Sequence, residues 1–484
     1  MEKIMDTKKW RNLIISVVIF ALGWIMPEIE PITKDGMFAL GCFFSLIYAM
    51  ASGVEAWYVI LALLVFSVKK SLNITSEVFP AVFGNYILWF IILSFWYMSG
   101  VAKTGFLDFI TKKFLSTKIT MKGPYWLMST LLVSTFVAVA LTQSILAVFF
   151  LMMAVLRGVQ KNLNMKVNDP WIVATGVGIA FCCVAGSLFM PFNFSFFMYG
   201  GFMTSTFSWV SNVNAGAYTI QQTVAGIVAI TLIVAVTKLI IRPKSDFSLL
   251  TNIELTSEDD NIKFDRAMSA VVVTIIILVA VVGLPSLVPQ TSWAFRFFSN
   301  TGITAAFAIS CAILMFFKNS NGERCLDFGK MLQENTNWTV IFYIGAIVYL
   351  GNFISEPDSG IMAQIAAWCR PLSNLSPFLL ISILGLLTIL LTNATNNMVV
   401  ALVMAPIGYA VVGIDTPMAQ ALTVMVVVSS LTAVALPSAS ATGIVLHSQK
   451  DLFSSGPVIR YGYVFAVLCF IGQFVGFLFA QGMY

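Results

Sequence analysis

The stretch "LTNATNNMVVALVMAP", residues 391–406, places three asparagines and two threonines inside one of the most apolar regions of the chain. Amide groups are costly to bury in hydrocarbon unless another group pairs with them. A polar interruption of this kind is therefore expected at the tip of a re-entrant hairpin. Non-helical backbone is tolerated there because it lines a cavity rather than lipid.

The composition indicates the environment of the chain. Of its 484 residues, 59% are hydrophobic and 10% are charged, whereas a soluble domain carries about 25% charged residues. Apolar stretches of about 18 or more residues recur, which is typical of transmembrane helices and not of the shorter, alternating strands of a barrel. We expect an all-α integral membrane protein with about 11 transmembrane helices plus two re-entrant hairpins in an inverted repeat.

The basic residues predict the topology. Residues 12–27 resemble a signal peptide, but no cleavage site follows them, so a retained first helix is expected. With a cytoplasmic N-terminus and both long broken blocks folded as hairpins, most of the 27 Lys and Arg residues fall inside. This predicts a multi-pass protein of a bacterial-type cell membrane. Its expected parts are an N-terminal helix (1–30), a first inverted repeat (31–241) with a re-entrant hairpin (123–160), a cytoplasmic linker (242–266), and a second repeat (267–484) with a re-entrant hairpin (374–413).

Two matching segments carry the prediction of a repeat. "PYWLMSTLLVSTFVAVALTQSILAVFFLMM" begins at Pro124, and "PFLLISILGLLTILLTNATNNMVVALVMAPI" begins at Pro377. Each is followed by a second interrupted helix, "AGSLFMPFNFS" at 185–195 and "ALPSASATGIV" at 435–445. Inverted repeats with broken helices are common in secondary transporters, whose binding site lies where the broken helices meet.

The residue types at these breaks restrict the chemistry. No Asp, Glu, Lys or Arg falls at the middle of a predicted span, so the buried polar groups are hydroxyls, amides and freed backbone groups. Helix N-termini favour an anion, and unwound carbonyls with amide oxygens suit Na+. A neutral solute also fits this pattern. The seven cysteines show no metal-binding spacing, and the single histidine, His447, is expected at a helix end at the membrane interface.

The order of these parts resembles the divalent anion/Na+ symporter family of the ion transporter superfamily. The resemblance covers nearly the whole chain and includes "VAKTGFLDFITKKF" at 101–114 and "KDLFSSG" at 450–456. Members carry a Ser-Asn-Thr signature at each hairpin tip. The first tip here has Thr142, Gln143 and Ser144 at those positions. The second tip allows two registers. Hairpin-arm length favours the register with Asn396, Asn397 and Met398 at these positions. The alternative register, four residues earlier, has Thr392, Asn393 and Ala394.

The resemblance also implies the site residues. The breaks "MPFN" and "PSASATG" resemble the family's breaks, with Gly443 standing where Asn is usual. The residues implied for substrate binding are Thr142, Gln143, Ser144, Asn193, Asn396, Asn397, Ser440 and Thr442. The candidates for Na+ binding are Gly186, Ser187, Asn393 and Asn397. Two residues depart from the Ser-Asn-Thr signature: Gln143 has a longer side chain than Asn, and Met398 lacks the hydroxyl of Thr. These departures bear on both Na+ coupling and substrate preference.

The resulting hypothesis is a secondary active transporter of small anions, either di/tricarboxylate-like or sulfate-like. The resemblance implies Na+-coupled symport by an elevator-type movement, a homodimer in the lipid bilayer, and no cofactor beyond Na+ as coupling ion; no nucleic acid is expected as a partner. The alternative within transport is a Na+-independent anion exchanger. A membrane-embedded enzyme would need an acid/base or nucleophile set in a cavity, which the sequence does not supply. A channel is the weaker idea, because inverted broken hairpins are typical of transporters.

Overall fold

The fold is helical throughout the part of the chain that the computed structural model describes. The described residues are 2–107, 109–110, 122–190, 213–243, 264–289, 291–334, 336, 338–355, 357–369, 371, 374–393, 400–401, 404–405, 407–409, 417–436 and 439–484. Within these ranges the only extended pairing is two isolated bridges in loops. The expected all-α fold class is confirmed for this part of the chain. Most of the predicted linker, together with Asn193, Asn396 and Asn397, lies outside the described residues.

Eighteen described helices are numbered here in chain order. Those before the predicted linker are α1 (Glu2–Ile25), α2 (Lys34–Ser52), α3 (Trp57–Lys69), α4 (Phe79–Phe83), α5 (Tyr86–Lys103), α6 (Pro124–Thr142), α7 (Ile145–Asn162), α8 (Pro170–Phe189) and α9 (Ala215–Val236). Those after it are α10 (Arg266–Leu287), α11 (Trp293–Phe316), α12 (Phe328–Glu334), α13 (Trp338–Ser355), α14 (Ile361–Cys369), α15 (Pro377–Thr392), α16 (Pro417–Leu431), α17 (Ala441–Ser448) and α18 (Ser455–Ala480).

The number of membrane crossings differs from the expectation. Among the described residues, seven helices are long and apolar enough to cross a membrane. An eighth span results if Trp57–Lys69 and Ile74–Phe83, which meet at 115°, are counted as one bent element. Several other apolar helices, including α15, are shorter than a full span. The protein is therefore multi-pass, and the count of about 11 crossings stays a prediction from the charge pattern.

Helices α9 and α18 pack closely in antiparallel orientation. A Cβ atom added at Gly472 would lie 2.6 Å from the carbonyl oxygen of Ala225, so the two backbones approach where α18 lacks a side chain. Gln222 and Gln473 exchange amide hydrogen bonds at 3.0 and 3.2 Å, which satisfies both buried amides. Because Asn214 donates to the Met483 carbonyl, the start of α9 lies beside the end of α18. The α9–α18 pair thus defines two ends of the molecule.

Helices α6 and α7 form a hairpin on this frame. Lys238, just beyond the end of α9, lies 5.8 Å from the ring centroid of Tyr125 at the start of α6. Arg157, near the end of α7, pairs with Asp451, four residues before α18. The start of α6 and the end of α7 therefore lie at the same end of the α9–α18 pair. The 19 residues of α6 span about 28 Å, enough to cross a bilayer, so re-entry of the hairpin stays a prediction.

Helix α15 begins at the opposite end of the molecule. The ring of Phe378, in its first turn, lies 5.2 Å from that of Phe474 and 5.7 Å from that of Phe477, near the end of α18. Helices α6 and α15 therefore begin at opposite ends of the α9–α18 pair. This is the relation that the predicted inverted repeat requires, and it supports the matching of Pro124 with Pro377. The boundaries of the repeats stay a prediction.

Each of these two helices runs parallel to the helix that follows its hairpin. A Cβ atom at Gly178 of α8 would lie 2.9 Å from the Leu132 side chain, and one at Gly186 would lie 2.5 Å from the Phe136 carbonyl. The contacts thus advance together along α6 and α8. In the second half, a Cβ atom at Gly385 of α15 would lie 2.8 Å from the Met425 side chain of α16, and the Thr392 hydroxyl at the end of α15 donates to the Ser430 carbonyl near the end of α16. In both halves the two helices end side by side, where the sequence predicted the breaks.

Candidate functional site

The first predicted tip is the two-residue break between α6 and α7. Thr142 ends α6 with its hydroxyl donating to the Ala138 carbonyl at 2.7 Å. Gln143 follows in a left-handed conformation, with φ 55°, which breaks the helix. Its amide nitrogen donates to the Ala140 carbonyl at 3.1 Å, and its Oε1 has no hydrogen-bond partner among the described residues. The Gln143 side chain is 8% exposed, so its amide oxygen is a candidate ligand group at this tip.

The start of α7 offers a group of a different kind, which is suited to an anion. Ser144 is the N-cap of α7, but its hydroxyl does not accept a hydrogen bond from the first turn. The N–H groups at a helix start carry partial positive charge and have no partner inside the helix. This end of α7 is therefore suited to an anionic group without a charged side chain.

The second predicted tip is organised by Asn393. Its side chain is fully buried and follows the last residue of α15. Nδ2 donates to the Ile389 carbonyl at 2.7 Å and to the Thr432 carbonyl at 2.8 Å. Oδ1 accepts from the N–H groups of Val434 and Ala435, both at 2.8 Å. The amide thus joins the end of α15 to the chain that leaves α16.

The two helix ends match in sequence as well as in position. In sequence, residues 141–144 at the end of α6 correspond to residues 391–394 at the end of α15, and both helices end at a threonine followed by an amide residue. This match places Thr392 and Asn393 at the structural counterpart of the first tip, and which register binds substrate stays a prediction. The register with Asn396, Asn397 and Met398 lies outside the described residues and stays a prediction.

The first interrupted helix ends close to the first tip. Helix α8 ends at Phe189, and Met190 is extended, as expected for the residue before Pro191. Gly186 lies against the backbone of α6, and the Ser187 hydroxyl donates to the Val184 carbonyl at 2.7 Å. Gly186 therefore lies beside α6, as the prediction of a shared site requires. The role of Gly186 and Ser187 in Na+ binding stays a prediction, as does the role of Asn193 in substrate binding.

The second interrupted helix lies directly against the second tip. Helix α16 ends at Leu431, and the described residues between it and α17, which are 432–436 and 439–440, are non-helical. The Ser440 hydroxyl caps α17 by accepting from the N–H of Gly443 at 3.0 Å, and it also donates to the Ala433 carbonyl. Thr442 is buried in the first turn of α17. The structure therefore brings Ser440 to the same backbone segment that Asn393 holds.

His447 lies in the last turn of α17, at a helix end as the sequence predicted. Only 8% of it is exposed, and its place at the membrane interface stays a prediction. Its Nε2 lies 2.9 Å from the carbonyl oxygen of Ala435, beside the segment held by Asn393. The distance of twelve residues along the chain hides this contact, because the non-helical segment folds back onto α17.

The electrostatics of the interior agree with the pattern in the sequence. Among the described residues, no Asp, Glu, Lys or Arg is buried, and no group of three or more His, Cys, Asp or Glu residues could hold a metal ion. Two cavities of about 200 and 390 Å³ lie near Lys9 and Lys34, away from both tips. No described contact joins the first tip to the second directly. The interior thus offers amides, hydroxyls and helix ends as binding groups.

A multi-pass helical protein with paired interrupted helices and a neutral polar interior belongs to the class of membrane transport proteins. Comparison with known families gives the particular family. The family described as citrate transporter matches residues 43–432. The chain therefore belongs to the citrate transporter family and is a transporter, not an enzyme. This confirms the resemblance to the ion transporter superfamily. No match is found among curated proteins.

Solved transporter structures share the fold. The YdaH transporter of Alcanivorax borkumensis has a TM-score of 0.57 at 13% identity, with 98% of each chain covered. MtrF of Neisseria gonorrhoeae, described within a class of antimetabolite efflux pumps, has a TM-score of 0.52 at 13% identity, with 96% of this chain and 94% of that one covered. At this identity the likeness establishes the fold only.

Proposed function

We propose that the chain is a secondary active transporter that moves citrate or a related di- or tricarboxylate across the membrane by Na+-coupled symport. The family match over residues 43–432 is the observation that carries the proposal. Substrate would bind where α6 and α8 end beside each other and where α15 and α16 do the same. In this proposal the hairpin-bearing helices move as one body against the remaining helices, in an elevator-type mechanism. The protein is proposed to be a homodimer.

The neutral interior supports the coupling to a cation. Citrate carries several negative charges, and bringing a charge into a low-dielectric site is costly unless another charge compensates it. No buried Lys or Arg is present among the described residues. Helix N-termini supply only partial charge. Cotransported Na+ is the compensating charge that the proposal requires.

One observation favours Na+-independent exchange as the second candidate. Both lone pairs of the Asn393 Oδ1 atom are used by the N–H groups of Val434 and Ala435. The predicted Na+ ligand in this register is therefore already occupied by the backbone. An exchanger binds one anion on each side in turn and does not need a net compensating cation for each cycle.

Uptake by reconstituted vesicles separates the candidates. Purified protein is placed in liposomes, and uptake of labelled citrate, succinate and sulfate is measured with an inward gradient of Na+ or of choline. Symport predicts citrate uptake that depends on Na+. Exchange predicts uptake that depends on citrate inside the vesicles and is unchanged in choline. Uptake of none of the three anions under either condition, in vesicles with correctly folded protein, would overturn the proposed function.

A further inference from the structure

The motif "KDLFSSG" is explained by the contacts of the loop that joins α17 to α18. This loop, residues 449–454, is held from one side by Arg157 in α7. Arg157 Nε donates to one carboxylate oxygen of Asp451, and its Nη2 donates to the other at 3.3 Å. The same Nη2 atom donates to the side-chain oxygen of Gln449. One guanidinium therefore holds both a carboxylate and an amide of the loop.

The loop is held a second time by the chain between α7 and α8. The N–H of Asn168 donates to the Leu452 carbonyl at 3.0 Å. Its Oδ1 accepts from the N–H of Ser454 at 2.6 Å and from the Ser454 hydroxyl at 3.0 Å. Phe453 is 1% exposed and packs against Gly176 of α8, where an added Cβ atom would lie 2.5 Å from its ring. The loop is thus fixed to both α7 and α8.

The other end of α17 leads directly to the second tip. His447 and Ser440 contact the carbonyls of Ala435 and Ala433, and the next step is the pair of hydrogen bonds from Val434 and Ala435 to Asn393. A continuous series of contacts therefore runs from the base of the first hairpin, through the loop and α17, to the end of α15. Helix α17 also packs against α8.

We propose that Arg157 is a positioning residue, which through the 449–454 loop holds the two predicted tips in one rigid unit. The inference rests on the proposed function for its consequence in transport, but not for its structural content. It assigns a role to residues that lie away from both tips. Arg157 belongs to the first half of the sequence, and its partners Gln449 and Asp451 belong to the second half. Loss of the attachment would leave each tip folded while the second loses its fixed place relative to the first.

The strength of the attachment comes from its combination of contacts. The side chains of Arg157 and Asp451 are 40% and 53% exposed, and an isolated exposed ion pair contributes little. Here the guanidinium is shared by three acceptor atoms, and the hydrogen bond from Arg157 lowers the pKa of the Asp451 carboxyl. We therefore expect coupling effects of about three- to tenfold, typical of a modest coupling free energy.

Hydrogen exchange tests the coupling without any substrate. In Arg157→Ala, amide exchange in the segment 432–440 should accelerate about three- to tenfold relative to the unmodified protein. The charge-exchanged double variant Arg157→Asp with Asp451→Arg should slow it again. Lys161→Ala, one helical turn further along α7, is the matched control and should leave this exchange unchanged. Unchanged exchange in Arg157→Ala would overturn the inference whatever the protein transports.

A disulfide tests the consequence for transport. In a background without native cysteines, Asn168→Cys and Ser454→Cys, both exposed positions, are joined by oxidation. If α7, α8 and the loop move as one unit, the disulfide leaves citrate uptake unchanged. In Arg157→Ala it should restore uptake that the substitution has reduced, and reduction of the disulfide should abolish this restoration.

The outcomes of the two experiments are distinct. Uptake blocked by the disulfide in the otherwise unmodified protein would show that the loop moves relative to α7 and α8, which overturns the inference. Absence of uptake before any substitution overturns the proposed function instead. In that case exchange of the segment 432–440 alone decides whether Arg157 is a positioning residue.

Discussion

At the scale of single residues, Asn393 is the side chain on which the second tip depends most. Replacing it with alanine removes four hydrogen bonds and leaves two backbone N–H groups without acceptors in a buried segment. We expect Asn393→Ala to lower the free energy of unfolding by about 3 kcal/mol, because each unsatisfied buried group is costly. Thermal unfolding of the purified protein measures this.

Two variants place that result in context. Thr392→Val keeps the shape of the side chain and removes a single hydrogen bond, to Ser430, so it should cost about 1 kcal/mol. Asn397→Ala, in the other register, should abolish transport while leaving unfolding unchanged, as expected of a ligand. If Asn397→Ala and Asn393→Ala exchange these two behaviours, the register with Asn393 supplies the ligand instead.

Gln143 is the residue that offers the most direct test of the predicted coupling to Na+. Its extra methylene displaces the amide oxygen by about 1.5 Å from where an asparagine oxygen would lie. Asparagine is also more tolerant of the left-handed conformation at this position. We expect Gln143→Asn to fold at least as well and to increase the dependence of uptake on Na+, which titration of uptake against Na+ concentration measures. Loss of transport in Gln143→Asn would show that the glutamine itself is a working ligand.

The first tip could be predicted at this scale, and the second only in part. "LTQS" contains one short polar interruption, and the helix breaks within it, at Gln143. The second stretch has amide residues at 393, 396 and 397, with 393 and 397 four residues apart and therefore on nearly the same helix face. The end of α15 is decided by backbone groups of Val434 and Ala435, about forty residues away. Local pattern cannot contain that information.

At the scale of elements, the close approach at Gly443 fixes α17 against the non-helical segment. An added Cβ atom would lie 2.5 Å from the Leu436 carbonyl, which belongs to the backbone and cannot move aside cheaply. We expect Gly443→Ala to lower the free energy of unfolding by about 2 kcal/mol, as overpacking does, despite its better helix propensity. Gly456→Ala, with open space around it, should be neutral in the same unfolding measurement. Equal effects of the two would show that helix propensity decides here.

Most long helices could be predicted from hydropathy alone, whereas bends could not. The apolar run 54–68 predicts one span, but the chain continues through a 115° bend into Ile74–Phe83. Ser71 takes a left-handed conformation at this bend, and the Asn73 side chain caps the turn that follows. Asn73 is a recognisable capping residue. Its presence indicates a new helix start but not the angle at which that helix leaves.

At the scale of the whole molecule, the ion pairs agree with the predicted topology. Lys9 pairs with Glu55, and Lys70 pairs with Asp35. With a cytoplasmic N-terminus, the predicted topology places both residues of the first pair inside and both residues of the second pair outside. The pair of Arg157 with Asp451 also joins two positions expected inside. The bias of basic residues therefore predicted which distant loops lie on the same side of the membrane.

Labelling from the two sides of the membrane tests this topology directly. Lys161 lies exposed in the last turn of α7, at the end of the molecule where α6 begins, and Lys34 lies exposed at the start of α2. In a background without native cysteines, we expect Lys161→Cys to react with a membrane-impermeant thiol reagent only from the cytoplasm, and Lys34→Cys only from outside. Reaction of each from the side opposite to its expectation would invert the whole protein and leave the hairpin intact. Reaction of both from outside would break the predicted topology between α2 and α7, because the basic residues on the two segments could then no longer lie on opposite faces.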